Sequence, residues 1–281
     1  MARTAVGIDL GGTKLLMVAG VEGQREVKHL PTGIEFDRDA LHSALKEFLA
    51  GLPARPGSIG IAIPGLVSEQ GRVIACDVLP KIEGLEAAAF AYAGCPVRLI
   101  NDAEAALVEE SSALHPQATS AILMVGTGIG MAFKMNGSIC RGSRGWAGEL
   151  GKIPLSTQAG VQTLDDLASG AGILARLGGS PETTTRRLYA GDVEAVRVIQ
   201  EAGFALGLGL ASVINLLNPE RVILGGGTLN YPGYYPAAIT CAEQYAMPDL
   251  WKACELRRPR DEKLVAALGA QRYAAPASQP E

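Results

Sequence analysis

One pattern occurs twice in the sequence, and this repeat constrains the fold more than any other feature. Residues 5–20, AVGIDLGGTKLLMVAG, consist of an apolar run, a break with adjacent glycines and a second apolar run. Residues 120–139, SAILMVGTGIGMAFKMNGSI, follow the same plan in the second half of the chain. Short apolar runs separated by a glycine turn predict paired β-strands. The repeat therefore predicts two domains of one design.

The elements around each repeat favour mixed sheets with helices. In the first half, three consecutive strand patterns precede a helical pattern at 38–52, and further strands are predicted at 58–65 and 97–101, with a short helix around 84–93 between them. In the second half, helices are predicted around 163–176 and across 192–217, before a strand at 221–226. A doubly wound sheet would alternate strand and helix from the start, so two mixed-sheet α/β domains are predicted.

These elements define expected domain limits. Residues 1–117 are expected to form the N-terminal α/β domain, completed by a C-terminal helix at 264–275. Residues 118–263 are expected to form the second domain. The polar tail at 276–281 contains proline and serine and is expected to be disordered. A cleft between two such domains favours a ligand site.

Composition excludes several classes of protein. The net charge of -4 supplies no basic surface for nucleic acid. No apolar run approaches the ~20 residues of a membrane span, and the N-terminus enters a strand pattern too early for a signal peptide, so we expect a cytoplasmic protein without membrane contact. The five cysteines lack CxxC spacing and the three histidines stand singly, which argues against a disulfide framework or a metal cluster.

The glycine breaks are candidate phosphate sites. Gly11 and Gly12 would allow positive φ angles and bring amide N–H groups close to a phosphate, and Thr13 and Lys14 would add a hydroxyl and a cation. The alternative is a hairpin turn that binds nothing. The second copy favours the functional interpretation, because two such tips can hold a polyphosphate from both sides. Its residues are Gly126, Thr127, Gly128 and Gly130, and a third cluster, Gly225, Gly226 and Gly227, would leave bare backbone for adenine or ribose.

Six motifs in order resemble one known family. The segments DLGGTK, GIAIPG, INDAEAA, VGTGIG, GWAGELG and NPERVILGGG, between about residues 4 and 273, are similar to those of the ROK-family sugar kinases of the actin and hexokinase ATPase superfamily. The resemblance implies a two-domain actin-like ATPase (ribonuclease H-like) fold with an interdomain cleft. It also implies ATP-dependent phosphorylation of the primary hydroxyl, O6, of a hexose or hexose derivative, with Mg²⁺ as cofactor, in a homodimer.

The resemblance assigns roles to individual residues. Asp102 corresponds to the base that receives the sugar hydroxyl proton, and its pKa need not be strongly raised if it mainly orients that hydroxyl. Asn101, Gly65 and Glu149 correspond to sugar-binding positions, and Asp9 corresponds to the carboxylate that holds Mg²⁺ through water. Without the other motifs, Asp102 would be interpreted as a helix N-cap and Glu149 as a solvated loop charge.

The chain departs from the family in its zinc loop. Lys152 stands where the family has a histidine that contacts sugar and zinc, and the segment 156–170 contains no cysteine. Thr163 replaces the last zinc cysteine, and Asp165 replaces a sugar-binding glutamate. We therefore predict no zinc, testable by elemental analysis, and a loop held by packing of Leu164 and Leu167. Lys152 faces either the sugar or solvent.

Three further interpretations stay open at this stage. A catalytically inactive sugar-binding regulator is compatible with the altered loop, although Asp9, Asp102 and both glycine hairpins argue against it. A sugar-responsive repressor would carry a helix-turn-helix before the first strand, where this sequence has about five residues. Polyphosphate could replace ATP as phosphoryl donor, although the Gly225–Gly227 cluster favours a nucleotide.

Overall fold

The computed structural model describes residues 5–20, 24–90, 92 and 94–275. The strands in chain order are β1 Ala5–Leu10, β2 Lys14–Ala19, β3 Glu26–Pro31, β4 Ser58–Ile63, β5 Leu66–Val67, β6 Val73–Ala75, β7 Val97–Asn101, β8 Ser120–Val125, β9 Ile129–Met135, β10 Ser138–Ile139, β11 Pro154–Thr157, β12 Gly160–Thr163, β13 Arg221–Gly225 and β14 Glu255–Arg257. The helices are α1 Arg38–Gly51, α2 Asp102–Glu110, α3 Leu164–Ala168, α4 Gly170–Leu177, α5 Pro181–Tyr189, α6 Val193–Leu217, α7 Tyr234–Tyr245, α8 Pro248–Ala253 and α9 Val265–Ala274.

Two five-stranded sheets have the same topology. In the first, β1, β2 and β3 are antiparallel neighbours, and β4 and β7 follow in parallel on the other side of β1. In the second, β8, β9 and β10 take the antiparallel places, and β13 and β14 take the parallel ones. The prediction of two mixed sheets on one plan is confirmed.

The chain divides into two compact units, each with its own hydrophobic core. The first comprises Met1–Leu114, Gly142–Trp146 and Arg260–Glu281, and the second comprises His115–Arg141 and Ala147–Pro259. The limits predicted at 117/118 and 263/264 stay predictions about the domains.

Residues of β2 show why this strand is a continuous apolar run from Leu15 to Ala19. Leu15 and Met17 pack into the core shared with α1, whereas Leu16 and Val18 pack on the opposite face against Ala267 of α9. Side chains alternate between the faces of a strand, so a strand covered on both sides must be a continuous apolar run. The predicted helix at 38–52 is confirmed as α1, which begins after Asp37, whose side chain accepts the N–H of Ala40.

Helix α6 is the long helix predicted across 192–217. Among the described residues, α6 is the one helix long and apolar enough to cross a membrane. The expectation that no segment of the sequence has this length and apolar character was therefore wrong. The apolar window of α6 is 67% buried inside the structure. Ile199, Leu206 and Leu210 of α6 lie in the second core with Leu123 of β8 and Leu224 of β13. The apolar length of α6 is therefore explained by its place in this core.

Some local elements differ from expectation. The α-helix predicted around 84–93 is wrong: the described residues of this segment form a 3₁₀ turn at Ala87–Phe90, between Gly84 and Gly94, both at positive φ. Residues 91 and 93 and the tail at 276–281 lie outside the described residues. The helices α5, α7 and α8 and the β11–β12 hairpin were not predicted from the sequence.

Glycines allow α9 to contact the first sheet and α2 closely. A Cβ at Gly7 would lie 2.0 Å from the carbonyl oxygen of Ala267, and one at Gly60 would lie 1.8 Å from that of Ala270. A Cβ at Gly269 would lie 1.7 Å from the carbonyl oxygen of Ala105. Because these neighbours are backbone atoms, they cannot rotate away.

Gly269→Ala should lower the free energy of unfolding by about 1–3 kcal/mol, because the added methyl group forces α9 away from α2. Urea unfolding of the full chain measures this loss. The matched control is Gly51→Ala at the end of α1, where a Cβ has nothing within 4 Å and should be neutral or slightly stabilising. Equal stability of the two variants would contradict the close contact.

Candidate active site

The turn between β1 and β2 is fixed by its own backbone and by one threonine. The N–H of Gly11 donates to the carbonyl of Lys14 at 2.8 Å. Thr32, just after β3, donates its hydroxyl to the carbonyl of Gly11 at 2.6 Å and its N–H to the carbonyl of Thr13 at 3.1 Å. Sequence reasoning missed Thr32, because its role depends on the register of β2 with β3.

This arrangement decides which amides of the turn are available. The N–H of Gly11 is used in the turn, whereas the N–H groups of Gly12 and Thr13 have no partner among the described residues. The predicted positive φ angles are wrong, since neither Gly11 nor Gly12 is in that region. Space beside Gly12 is tight instead: a Cβ there would lie 3.3 Å from the Cβ of Val78, which would have to shift by a few tenths of an ångström.

The second glycine loop, residues 126–128 between β8 and β9, is held through its carbonyl groups. The N–H of Gly126 donates to the carbonyl of Gly128 at 2.9 Å. The carbonyl of Gly126 accepts from the N–H of Gly170 at 2.8 Å and from the hydroxyl of Thr228 at 3.0 Å. The carbonyl of Thr127 accepts from the N–H of Ala171 at 3.1 Å. Thr228 thus binds a loop carbonyl through its hydroxyl, as Thr32 does in the first turn. Thr228 was not predicted from the sequence either.

With its carbonyls bound, the second loop presents amide donors. The N–H groups of Thr127 and Gly128 have no partner among the described residues. Gly126, Gly128 and Gly130 are not at positive φ, and nothing lies within 4 Å of a Cβ built at Gly126 or Gly130. Thr127 and Gly128 are exposed, and two adjacent unpartnered amides in an exposed turn are suited to an anion.

The Gly225–Gly227 cluster is explained in part by packing. A Cβ at Gly225 would lie 2.8 Å from the sulfur of Met124. Gly226 has a φ of 103°, and a Cβ there would lie 2.3 Å from the carbonyl oxygen of Val125. Only at Gly227 would a Cβ meet nothing within 4 Å. Contact of this cluster with a nucleotide stays a prediction.

Asp9 is a partly buried carboxylate near the end of β1. Burial, together with the negative charge of Asp102, raises the pKa of Asp9 to about 7, and Lys14 opposes the rise. Keeping such a group in a folded protein is unfavourable for stability, which suggests a role in binding a cation.

Asp102 follows β7 and is the first residue of α2. Burial raises the pKa of Asp102 to about 6, although the N–H of Ala103, which donates to its Oδ1 at 2.8 Å, opposes the rise. The shift is larger than the sequence argument required. The interpretation of Asp102 as the N-cap is wrong, because the capping side chain is that of Asn101.

Asn101 is occupied by two structural contacts. Its Oδ1 accepts from the N–H of Glu104 at 3.1 Å, and its Nδ2 donates to the carbonyl of Gly65 at 3.0 Å. Gly65 itself is close to β6, since a Cβ there would lie 2.2 Å from the carbonyl oxygen of Ala75. The structure therefore brings Gly65, Asn101 and Asp102 together in the first unit. The side chain of Asn101 also interacts with Asp102, since a hydrogen bond from it opposes the rise in the pKa of that carboxyl group.

The remaining predicted sugar residues lie in the second unit. Glu149 is exposed and precedes the 3₁₀ turn at Leu150–Lys152. Lys152 and Asp165 are paired with each other, with 3.0 Å between Nζ and Oδ2. The hydrogen bond to Asp165 raises the pKa of Lys152 above its usual value.

The segment that replaces the family's zinc loop is a hairpin followed by a capped helix. The strands β11 and β12 pair along their length, and Thr163 and Asp166 form a reciprocal capping box at the start of α3. Leu164 is fully buried and Leu167 packs against the same core, which confirms the predicted packing. Within the described ranges, no three His, Cys, Asp or Glu side chains are grouped for a metal. The prediction of no zinc stays a prediction.

Comparison with known proteins agrees with this fold. The family model described as ROK family matches residues 5–276. The N-acetylmannosamine kinase of Citrobacter koseri (strain ATCC BAA-895 / CDC 4225-83 / SGSC4696) is 29% identical over 256 residues, covering 82% of this chain and 86% of that protein. The crystal structure of the ROK hexokinase from Thermus thermophilus is 30% identical, covers 96% of this chain and 97% of its own, and superposes with a TM-score of 0.81.

A third relative is a transcriptional regulator. The crystal structure of a ROK family transcriptional regulator, a homologue of the E. coli MLC protein, is 27% identical, with a TM-score of 0.77, and the match covers 95% of this chain and 76% of that chain. The paired sheets and their glycine turns define an actin-like ATPase fold of the kind found in sugar kinases. The chain belongs to the ROK family.

Proposed function

We propose that this protein is an ATP-dependent sugar kinase that phosphorylates the primary hydroxyl, O6, of a hexose or hexose derivative. The observation that carries the proposal is Asp102, a carboxylate with a raised pKa at the carboxyl end of β7, in the same unit as Asp9 and the unpartnered amides of Gly12 and Thr13. Ends of parallel strands are where α/β sheets present functional side chains. N-acetylmannosamine is one candidate acceptor, because several relatives are kinases of that sugar.

Asp102 acts as the general base in this proposal. Its carboxylate accepts the proton of the sugar hydroxyl and orients that oxygen for attack on the phosphorus atom. A pKa of about 6 leaves it ionised at neutral pH and still able to accept a proton. Asn101 fixes its position by capping α2 and bonding Gly65.

The residues present fit a nucleotide with Mg²⁺. Within each unit, the unpartnered amides of the glycine turn are donors that phosphate oxygens can accept, and Lys14 adds a cation beside the first turn. Asp9 would hold the metal through water, which relieves the cost of its burial. When bound, the metal ion neutralises charge that develops on the transferring phosphoryl group. Gly225, Gly226 and Gly227 remain the proposed surface for the base or ribose.

A coupled ADP-release assay over a sugar panel tests the proposal. The panel should include glucose, mannose, fructose and their N-acetylated derivatives, with polyphosphate as an alternative donor. Turnover of at least one hexose with ATP supports the proposal. Sugar binding in calorimetry without transfer from either donor would favour the inactive regulator instead. The homodimer and the cytoplasmic location stay predictions.

The pH dependence of catalysis is a separate prediction. The active form of Asp102 is ionised, so kcat/KM for the sugar should fall about tenfold per pH unit as the pH drops below about 6, and level off above it. Steady-state rates from pH 5 to 8 at saturating nucleotide measure this profile. Lys152→Met, in the second unit, should leave the profile in place. A flat profile down to pH 5 would contradict the role of Asp102.

A further inference from the structure

The carboxylate of Asp165 is held from two sides within the second unit. Its Oδ1 accepts a hydrogen bond from the N–H of Ile129 at 2.8 Å, and its Oδ2 accepts one from Nζ of Lys152 at 3.0 Å. Ile129 directly follows the second glycine loop, residues 126–128. The side chain of Asp165 is 20% exposed, whereas that of Lys152 is 66% exposed. The contact with the loop is therefore the more protected of the two.

Glycine makes room for this carboxylate. A Cβ at Gly151 would lie 2.5 Å from Oδ1 and 2.6 Å from Oδ2 of Asp165. Gly151 is not at positive φ, so the backbone angle does not require glycine there. Glycine at residue 151 therefore leaves the space that the carboxylate of Asp165 occupies.

The main chain of Asp165 is equally well fixed. It is the second residue of α3, whose first turn is closed by the capping box of Thr163 and Asp166. The preceding residue, Leu164, is fully buried in the second core. A short side chain on such a backbone has few alternative positions.

We propose that Asp165 is a positioning residue that fixes the second glycine loop, and that it is not a ligand of the sugar. The carbonyl groups of Gly126 and Thr127 are bound on one side of the loop, and Asp165 binds the N–H of Ile129 at its end. These contacts thereby fix the orientation of the unpartnered N–H groups of Thr127 and Gly128. A preorganised pair of donors binds an anion without the cost of ordering the loop.

Lys152 has a secondary role in this arrangement. A carboxylate beside an anion-binding loop would repel phosphate, and the ammonium group of Lys152 offsets that charge. Because Lys152 is largely exposed, water screens its charge and the pair contributes little to stability. Removing Lys152 should therefore change nucleotide affinity much less than removing Asp165.

The test compares Asp165→Ala with Asp165→Asn. The role of the loop in binding phosphate rests on the proposed function, so the probes are Mg·ADP and the sugars glucose and N-acetylmannosamine, each measured by calorimetry. Asp165→Ala loses the acceptor for Ile129 and should raise the Kd of Mg·ADP about tenfold, the equivalent of one hydrogen bond. Asp165→Asn keeps a carbonyl acceptor and should stay within about threefold of the parent, as should Lys152→Met. Sugar affinity should change less than threefold throughout.

Amide exchange of Ile129, followed by NMR without ligands, supplies a readout independent of binding and activity. The parent and Asp165→Asn should protect this amide, and Asp165→Ala should expose it. Gly151→Ala displaces the carboxylate of Asp165 without changing its chemistry, so it should have the same effects as Asp165→Ala. It is the variant to use if Asp165→Ala does not fold. A tenfold loss of sugar affinity with unchanged Mg·ADP affinity, or equal protection of Ile129 in all variants, would overturn the proposal. If the parent protein neither binds Mg·ADP nor phosphorylates any sugar, the proposed function fails, and the exchange of Ile129 still decides the role of Asp165.

Discussion

Replacing Asp102 by Ala should lower kcat by about 10²–10⁴-fold, the usual contribution of a general base. The carboxylate at the start of α2 is the one group in the proposed mechanism that accepts the hydroxyl proton. The amides that would bind the nucleotide phosphates lie on Gly12, Thr13, Thr127 and Gly128, so the Kd for Mg·ADP should stay within about twofold. Single-turnover phosphorylation of the best sugar from the panel separates chemistry from binding.

Two controls sharpen this experiment. Asp102→Asn keeps the size of the side chain and an acceptor for the N–H of Ala103, yet it cannot take up a proton, so it should be as inactive as Asp102→Ala. Glu104→Gln removes another carboxylate from the same helix and should retain activity within about threefold. Turnover by Asp102→Ala within tenfold of the parent would exclude Asp102 as the base.

Asp9→Asn should abolish activity and, at pH 8, stabilise the protein. The folded state holds the Asp9 proton up to about pH 7, whereas the unfolded chain releases it near pH 4. Between these values the folded state binds more protons, so Asp9 lowers stability as the pH rises through this window. The loss is complete above about pH 7, where Asn would restore about 2–4 kcal/mol.

Chemical denaturation of both forms without nucleotide or divalent metal measures this effect. The gain of the Asn variant should be near zero at pH 4 and largest at pH 8, because below pH 4 the parent side chain is protonated in both states. Excess Mg²⁺ with ADP should stabilise the parent more than the variant, since only the parent keeps the proposed metal contact. An Asn variant less stable than the parent at pH 8 would contradict the raised pKa.

The sequence was sufficient to predict the plan of the fold. Glycine breaks between apolar runs, as in GIDLGGTKLL, identified both antiparallel hairpins, and continuous apolar strands such as SIGIAI identified the buried parallel ones. These signals are local, because period and turn residues act within a few positions. The placement of Asp9 and Asp102 near the ends of strands followed from the same patterns.

Contacts between distant segments were beyond such patterns. Thr32 and Thr228 bind carbonyls 21 and 102 residues away, so no local spacing identifies them. The hydrogen bond from Asn101 to Gly65 and the one from Ile129 to Asp165 likewise depend on how the elements pack. The positive φ angles expected at Gly11 and Gly12 were also wrong, and the tight contact of Gly12 with Val78 involves a segment distant in the sequence.

The place of α9 on the first sheet has a consequence for biosynthesis. Gln271 of α9 donates to the carbonyls of Ala5 and Gly20, so the last described helix is bound to the first described strand. A ribosome therefore completes all of residues 115–259 before it supplies the helix that covers Leu16 and Val18. The first unit begins translation before the second but is completed after it. Until α9 emerges, nascent chains expose an apolar face of the first sheet that chaperones can recognise.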